Sequence, residues 1–221
     1  MIEEILPPQA ATAVVYGKGP DPAHTLLPEE TQFVAKAVPG RQEEFGTVRA
    51  CARRALAGLG VPPVPILRSP RGAPQWPAGL VGSMTHCDGY RAAAVARRAD
   101  VSSLGIDAEP NGPLPDGVLD VISLPGERTW IRKLEARRPE ISWGRLLFSA
   151  KESVFKTWYP LTGQELDFTE AELEVCPSTG TFSARLLIPL AAPHSGLRTF
   201  TGRWTANSRL VVTAIARPGT E

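Results

Sequence analysis

Two carboxylates close an apolar run of the chain, Asp107 and Glu109, in the segment Gly-Ile-Asp-Ala-Glu-Pro. The apolar run predicts a strand, and because successive side chains of a strand point to opposite faces, the two acids share one face. Like charges there repel unless a cation lies between them, and carboxylate oxygens are common ligands of Mg²⁺. The segment therefore has two interpretations, a magnesium site or a pair of acids that face solvent beside arginines.

A predicted helix carries the next candidate groups. Apolar residues recur at intervals of three and four from Trp143 to Tyr159, and Pro160 is expected to end the helix. Glu152 and Lys156 lie one turn apart on it, which by itself is typical of an exposed ion pair worth about 0.2–0.5 kcal/mol. The aromatic face of the same helix favours the alternative that the helix is firmly anchored and holds a carboxylate rigidly.

Arginines mark another predicted helix, Arg41–Leu59, and the loop after it. Arg49 and Arg53 are four residues apart on one side of this helix, and Arg41 begins it. Arg68 and Arg71 follow in a loop rich in glycine and proline. Planar guanidinium groups suit phosphate, although a solvated helix face has the same composition.

The segment Gly-Ser-Met-Thr-His-Cys places Ser83, Thr85 and His86 at the end of a predicted strand. Hydroxyl and backbone N–H groups at such a place suit a phosphate. The alternative is that His86 is an ordinary hydrogen-bonded histidine of the fold.

Composition narrows the class of protein. The 221 residues are 43% hydrophobic and 21% charged, as in a water-soluble globular protein, and they suffice for a substantial core. The formal net charge of +1 provides no global field that would attract nucleic acid or a membrane surface, so any anion site must be local.

Cysteine usage and the N-terminus bear on location. The three cysteines are far apart and form no Cys-x-x-Cys pair, which favours a reducing compartment, and the three histidines form no zinc pattern. The N-terminus lacks the features of a signal peptide, and no run approaches the roughly 20 apolar residues of a membrane span. These features predict a cytoplasmic protein.

The order of elements indicates an α+β fold. Residues 1–30 are predicted to be irregular apart from a short strand at Ala13–Tyr16. Strand-like runs then precede Asp107, helices are predicted at Pro125–Arg138 and at the segment carrying Glu152, and four strands follow with a turn at Asn207 and Ser208. Helices and antiparallel strands recur in both halves, rather than alternating as βαβ units.

Taken in this order, the segments resemble the Sfp-type 4′-phosphopantetheinyl transferases. That family has a Gly-Ile-Asp-x-Glu strand and, some forty residues later, a helix of the form Trp/Phe-x-x-Lys-Glu-Ser/Ala-x-x-Lys. Here the two read GIDAEP and FSAKESVFK, with 42 residues between Glu109 and Glu152. The resemblance covers about residues 41–160 and is closest to the siderophore-synthetase-type branch.

The resemblance implies an activity, a fold and partners. Family members move phosphopantetheine from coenzyme A to a serine of an acyl or peptidyl carrier protein and release 3′,5′-ADP. The implied fold is a pair of similar α+β halves with the active site in their cleft, here residues 1–104 for coenzyme A phosphate binding and 105–221 for the metal and carrier docking. A cytoplasmic monomer that binds neither nucleic acid nor membrane is expected.

The resemblance also implies roles for single residues. Asp107, Glu109 and Glu152 would hold Mg²⁺, with Mn²⁺ as an alternative ion. Glu152 would act as the base for the carrier serine, and Lys156 would neutralise charge on the phosphates. The residues expected to bind coenzyme A are Arg41, Arg49, Arg53, Arg68, Arg71, Ser83, Thr85, His86 and Lys156.

One position departs from the family pattern, and one segment is a candidate docking surface. Ala108 stands where other members carry an acid or amide that joins the metal shell. The stretch Leu114–Arg132 has apolar residues among few charges, so it is either a carrier-docking surface with Leu119 and Ile122 facing outward, or ordinary core.

Two other functions remain open at this point. A magnesium-dependent nucleotide phosphodiesterase would use the same acids without a protein acceptor. A non-catalytic module that binds coenzyme A would need neither the three acids nor Lys156.

Overall fold

The computed structural model describes residues 1–17, 25–190, 192 and 194–219. The chain forms two compact units, and each end of the chain belongs to the unit built mainly from the opposite half. The N-terminal unit contains Pro7–Ile106 and the chain from Ala216 onward, and the C-terminal unit contains Met1–Leu6 and Asp107–Ile215. One of the three histidines, His24, lies outside the described residues.

The N-terminal unit is a helix on an antiparallel sheet. Its elements are β1 (Ala11–Tyr16), α2 (Pro28–Thr31), α3 (Pro39–Gly58), β2 (Leu67–Arg68), β3 (Pro74–Gln75), β4 (Leu80–Cys87) and β5 (Tyr90–Arg97). The sheet has the order β1-β5-β4, and β2 and β3 form a separate ribbon. Helix α3 packs on β1 and β5 through Ala52, Ala55 and Leu56, and because β5 presents the small side chains of Ala93 and Val95, the helix approaches the sheet closely.

The C-terminal unit has a larger core. Its elements are α1 (Ile2–Ile5), α4 (Val118–Ile122), α5 (Pro125–Glu135), α6 (Trp143–Thr162), β7 (Ala171–Cys176), β8 (Thr181–Leu186) and β9 (Thr199–Ala206). Strands β6 (Val101–Pro110) and β10 (Leu210–Pro218) complete a sheet of order β6-β10-β9-β8-β7. Trp143 and Trp158 of α6 are fully buried among the side chains of this sheet.

Strand β6 carries the change from one unit to the other, because Ile106 belongs to the N-terminal unit and Asp107 to the C-terminal unit. Residues 103–108 of β6 are buried without a break, so Asp107 is buried, whereas Glu109 is half-buried. The first acid of the candidate metal motif is therefore also the first residue of the C-terminal unit on this strand.

The fold class predicted from the sequence is confirmed, and two of its details are wrong. Helix α6 does not end at Pro160 but continues to Thr162, where Gly163 adopts a left-handed conformation and donates its N–H to Tyr159 O at 2.8 Å. Proline removes one hydrogen bond near the end of a helix, which a well-packed helix tolerates.

The second correction concerns the N-terminus, which is not irregular. Residues 2–5 form helix α1, and Ile2 and Ile5 are buried. The segment is too short for periodicity to identify, because a helix of one turn is stabilised by packing rather than by its own sequence.

The turn at Asn207 is confirmed. Its side-chain Oδ1 accepts hydrogen bonds from the N–H groups of Arg209 and Leu210, at 2.8 and 2.9 Å, and so closes the hairpin between β9 and β10. Within the described part of the chain, no helix is both long enough and apolar enough to cross a membrane.

Candidate active site

Arg41 and His86 come together in the N-terminal unit. Arg41, near the start of α3, lies with Nη1 2.7 Å from His86 Nε2 at the end of β4. Glu44, one turn further along α3, lies 3.3 Å from Arg41 and 3.8 Å from both His86 and Arg91. The structure thus gathers three groups that can bear positive charge around one carboxylate, on a partly exposed surface.

Arg41, Arg49, Arg68 and His86 form the basic set of the N-terminal unit, and Arg49 is its buried member. Only 4% of its surface is exposed, its Nε donates to Ile66 O at 3.1 Å, and its guanidinium lies over the Phe45 ring. Burial lowers the pKa of Arg49 to about 9; Glu30 opposes the shift, while Arg68, Arg53 and Arg41 add to it. Because arginine keeps its proton, this shift means that a positive charge is buried here at a cost, which a bound anion would reduce.

Arg53 has a different environment from Arg49. Its Nη1 pairs with both oxygens of Glu30, at 2.9 and 2.8 Å, and its Nη2 donates to Thr25 O. Glu30 is fully buried and also accepts the N–H of Ile66 at 2.8 Å. Its contacts therefore give Arg53 a structural role in joining α2, α3 and the chain at Ile66.

The remaining predicted coenzyme A residues are spread over the sheet and ribbon. Arg68 is exposed on β2, and Arg71 is exposed in the turn after it. Ser83 and Thr85 are buried on β4, and Ser83 Oγ accepts the N–H of Ile106 at 3.0 Å. The Ser83 hydroxyl thereby supports strand β6 immediately before Asp107.

In the C-terminal unit, Lys156 of α6 meets Asp107 of β6. Lys156 Nζ donates to Asp107 Oδ1 at 2.7 Å, and the carboxylate side chain is only 6% exposed. One interpretation of the sequence was a surface ion pair between Lys156 and Glu152; the structure instead directs the Lys156 ammonium to Asp107 of β6.

Glu109 and Glu152 lie in the electrostatic field of Asp107. Burial raises the pKa of Glu109, and Asp107 raises it further against the opposing effect of Arg145, whose Nη1 lies 3.1 Å from Glu109 Oε2. Burial also raises the pKa of Glu152, opposed by Lys156 and increased by Asp107. The two glutamates are therefore better proton acceptors than exposed carboxylates.

The chemistry of these three acids fits a hard divalent cation, whereas in the structure two of them form ion pairs with basic side chains. Oxygen donors of this kind suit Mg²⁺, and the mutual repulsion of the carboxylates would be relieved by it. Lys156 and Arg145 provide positive charge at Asp107 and Glu109. No cluster of three or more His, Cys, Asp and Glu side chains arranged to hold a metal ion is present among the described residues.

Sequence reasoning missed two buried glutamates that have the same environment. Glu30 and Glu127 each follow a Leu-Pro pair, in Leu-Pro-Glu-Glu and Leu-Pro-Gly-Glu, and each accepts the N–H of the leucine, Leu27 or Leu124. Each also binds a cation of the long helix in its own unit, Arg53 of α3 or Lys151 of α6. The repeated Leu-Pro-x-Glu segment is the sequence feature from which these two glutamates could have been predicted. It also shows that the two units share a local structural feature.

Comparisons with known proteins place the chain in a family. Residues 29–96 match the 4′-phosphopantetheinyl transferase N-terminal domain, and residues 103–198 match the 4′-phosphopantetheinyl transferase superfamily. The chain is 63% identical over 220 residues to 4′-phosphopantetheinyl transferase Svp of Streptomyces mobaraensis, covering 98% of this chain and 89% of that protein.

Two further relatives agree with this assignment. The chain is 46% identical to 4′-phosphopantetheinyl transferase PptT of Mycobacterium tuberculosis, with 97% of each chain covered. It is 46% identical to 4′-phosphopantetheinyl transferase Npt of Nocardia iowensis, covering 98% of this chain and 99% of that one. The two family matches, the acid motif and the identity to these relatives over nearly the whole chain all agree. The chain therefore belongs to the Sfp-type 4′-phosphopantetheinyl transferases.

Proposed function

We propose that this protein transfers the 4′-phosphopantetheine group of coenzyme A to a serine of an apo acyl or peptidyl carrier protein. The serine oxygen forms a bond to the phosphorus next to the pantetheine, the bond from that phosphorus to the bridging oxygen breaks, and 3′,5′-ADP leaves. The serine proton goes to a base of the enzyme. One observation carries the proposal: Asp107 lies close enough to Glu109 and Glu152 to raise the pKa of both. These three acids occur in a chain closely related to named transferases.

The basic set of the N-terminal unit would bind the phosphates of coenzyme A. Arg41 and His86 lie at an exposed surface where a phosphate has access, and Arg49 lies in a field of neighbouring arginines. Arg68 lies on the adjoining ribbon. Bidentate guanidinium contacts to phosphate oxygens would then offset the repulsion within the set.

Glu152 would accept the proton of the carrier serine. A general base is most effective when its pKa lies near the working pH, and burial moves the pKa of Glu152 upward from its ordinary value of 4.5. Lys156, already in contact with Asp107, would offset the negative charge that grows on the leaving phosphate.

Mg²⁺, or Mn²⁺, would be held by Asp107, Glu109 and Glu152. When bound, the ion supplies positive charge that stabilises the transferring and leaving phosphate oxygens. The acids of this chain provide hard oxygen donors for it, and Lys156 and Arg145 hold two of them in ion pairs without it.

The carrier would dock on the C-terminal unit through the segment Leu114–Arg132. With a net charge of +1 the protein has no global field for an acidic partner, so recognition would rest on a local, partly apolar surface. Val121 of this segment is 70% exposed and provides such a surface, whereas Ile122 is only 3% exposed and belongs to the core. The expectation that Ile122 faces outward is therefore wrong.

The direct test is mass spectrometry of an apo carrier protein incubated with coenzyme A, Mg²⁺ and the enzyme. We expect the carrier to gain the mass of one phosphopantetheine group and 3′,5′-ADP to appear in equal amount. Excess chelator should stop both, and added Mg²⁺ should restore them. Nucleotide cleavage that proceeds equally well without a carrier would replace the transferase by a phosphodiesterase, and full transfer in chelator would refute the metal.

A further inference from the structure

A buried lysine directly precedes Glu152 on helix α6. The side chain of Lys151 is only 2% exposed, and its three ammonium hydrogens have three acceptors within reach. These are Glu127 Oε2 at 2.9 Å, Phe168 O at 2.6 Å and Ala171 O at 2.9 Å. The ammonium is thus fully satisfied inside the protein, which leaves it nothing with which to bind a substrate phosphate.

The pair is poorly explained by stability alone. The Lys151 side chain is 2% exposed and that of Glu127 is 0% exposed, so the structure keeps two charged groups where charge is costly. Buried ion pairs are often no more stabilising than apolar residues of the same volume, whereas they do fix geometry. A role in geometry is the better explanation for Lys151.

The contacts of Lys151 tie three segments to one turn of α6. Glu127 belongs to α5 and accepts the N–H groups of Leu124 at 2.7 Å and of Leu173, on β7, at 2.8 Å. Phe168 lies in the short 3₁₀ helix Phe168–Glu170, and Ala171 begins β7. A buried charge with directional partners resists both rotation and sliding of its helix, so these contacts would fix the backbone that carries the next side chain, Glu152.

The same contacts shape the space beside Glu152. A cavity of about 200 Å³ is lined by Glu152, Lys151, Phe155, Phe168 and Ala171, among others. Two of these residues, Phe168 and Ala171, accept hydrogen bonds from the Lys151 ammonium. A change at Lys151 would therefore move the carboxylate and the wall of the cavity relative to each other.

We propose that Lys151 and Glu127 are positioning residues, whose buried ion pair sets the orientation of the Glu152 carboxylate for the transfer reaction. This inference rests on the proposed function, because it assigns the pair a purpose in that reaction. It predicts a loss of turnover without a matching loss of coenzyme A binding, since Lys151 and Glu127 belong to the C-terminal unit and the basic set belongs to the N-terminal unit.

The N-terminal unit provides a matched control. Glu30 is buried like Glu127, stands at the same position of a Leu-Pro-x-Glu helix start, and likewise binds a cation of the long helix and a backbone N–H group beyond it. Glu30→Gln and Glu127→Gln remove equivalent buried carboxylates. Of the two, only Glu127 is connected to Glu152, because it pairs with Lys151, the residue that precedes Glu152.

The experiment compares Glu127→Gln, Glu30→Gln and wild type by kcat for carrier loading at saturating coenzyme A and carrier. Each rate is divided by the number of coenzyme A sites counted by calorimetry, so partial unfolding does not lower it. We expect kcat per site to fall by roughly ten- to a hundredfold in Glu127→Gln, since small displacements of a reacting group cost about this much. Glu30→Gln should keep the wild-type kcat, though both variants lose stability.

A second variant guards against a Glu127→Gln protein that does not fold. In Lys151→Met/Glu127→Leu no charge is left buried without a partner, so folding is expected to survive while kcat per site still falls. Either folded variant with wild-type kcat per site, or an equal loss in Glu30→Gln, would overturn the positioning role. If wild type itself transfers nothing, the proposed function fails instead, which is a separate result.

Discussion

Crowding of carboxylates is the central feature at the scale of single residues. Glu152 has a raised pKa because it is buried and because Asp107 repels it, so its ionised form destabilises the folded protein. This is the reverse of an acid in a favourable salt bridge. Such a cost is expected where a charged group is kept for chemistry rather than for stability.

A pH-dependent stability follows for Glu152→Gln. An acid with a raised folded pKa costs nothing below its unfolded value of 4.5, and the cost grows as the pH rises through its folded pKa. In metal-free buffer at pH 7 we expect Glu152→Gln to have a higher Tm than wild type, with the difference shrinking toward pH 4.5. Thermal melts across this range measure it, and a difference that grows as the pH falls would contradict the assigned cause.

The basic set allows a cleaner substitution than its buried member. Arg49 is in the interior, so its removal would disturb the core, whereas the side chain of Arg41 is 41% exposed. We expect Arg41→Ala to raise the KM for coenzyme A and to raise that for dephospho-coenzyme A less, if its contact is the 3′-phosphate. The KM for coenzyme A should rise about tenfold or more, as expected when a charge-assisted contact to phosphate is removed.

Arg138→Ala is the matched control for that measurement. Its side chain is 44% exposed and pairs with Glu140, much as Arg41 pairs with Glu44, so both variants remove an exposed ion pair of little stabilising value. Arg138→Ala should leave both KM values unchanged. Equal rises for the two substrates in Arg41→Ala would place Arg41 on another part of the ligand.

At the scale of elements, helix α6 organises the C-terminal unit. Trp143 and Trp158 anchor it in the core, Lys156 reaches strand β6, and Lys151 binds the start of β7. Its periodicity could be read from the sequence because one face is continuously apolar. Its passage through Pro160 could not, because tertiary packing and the Gly163 turn decide where it ends.

Helix α4 shows the same limit for a surface prediction. The sequence identifies Leu114–Arg132 as apolar, but in a helix of five residues neither period nor length reveals which side chains point inward. The structure exposes Val121 and buries Ile122. Composition therefore locates a candidate docking segment, and only packing decides which of its residues can meet a partner.

The docking proposal is tested at Val121. We expect Val121→Asp to raise the KM for the carrier at saturating coenzyme A and to leave coenzyme A binding unchanged, because a charge is introduced into an apolar contact. Val38→Asp is the control, since Val38 is 71% exposed and Val121 is 70% exposed. A folded Val121→Asp enzyme with an unchanged carrier KM would move the docking surface elsewhere.

At the scale of the whole molecule, two units repeat one structural device. Glu30 with Arg53, and Glu127 with Lys151, each join the start of a short helix to the long helix of the unit. The sequence contains this repeat only as two four-residue segments, which are too short to stand out without the contacts. The acid motifs were recognisable because their spacing is shared by a whole family, whereas the ion pairs that arrange them depend on the fold.

In the proposed division of roles, the basic set binds coenzyme A and the acids carry out the transfer. The most direct measurement is the rate of carrier mass gain at saturating coenzyme A for wild type, Glu152→Gln and Arg41→Ala. We predict that Glu152→Gln loses roughly a hundredfold or more, as removal of a general base does, while Arg41→Ala recovers the wild-type rate at saturation. A folded Glu152→Gln enzyme that loads the carrier at the wild-type rate would contradict the account.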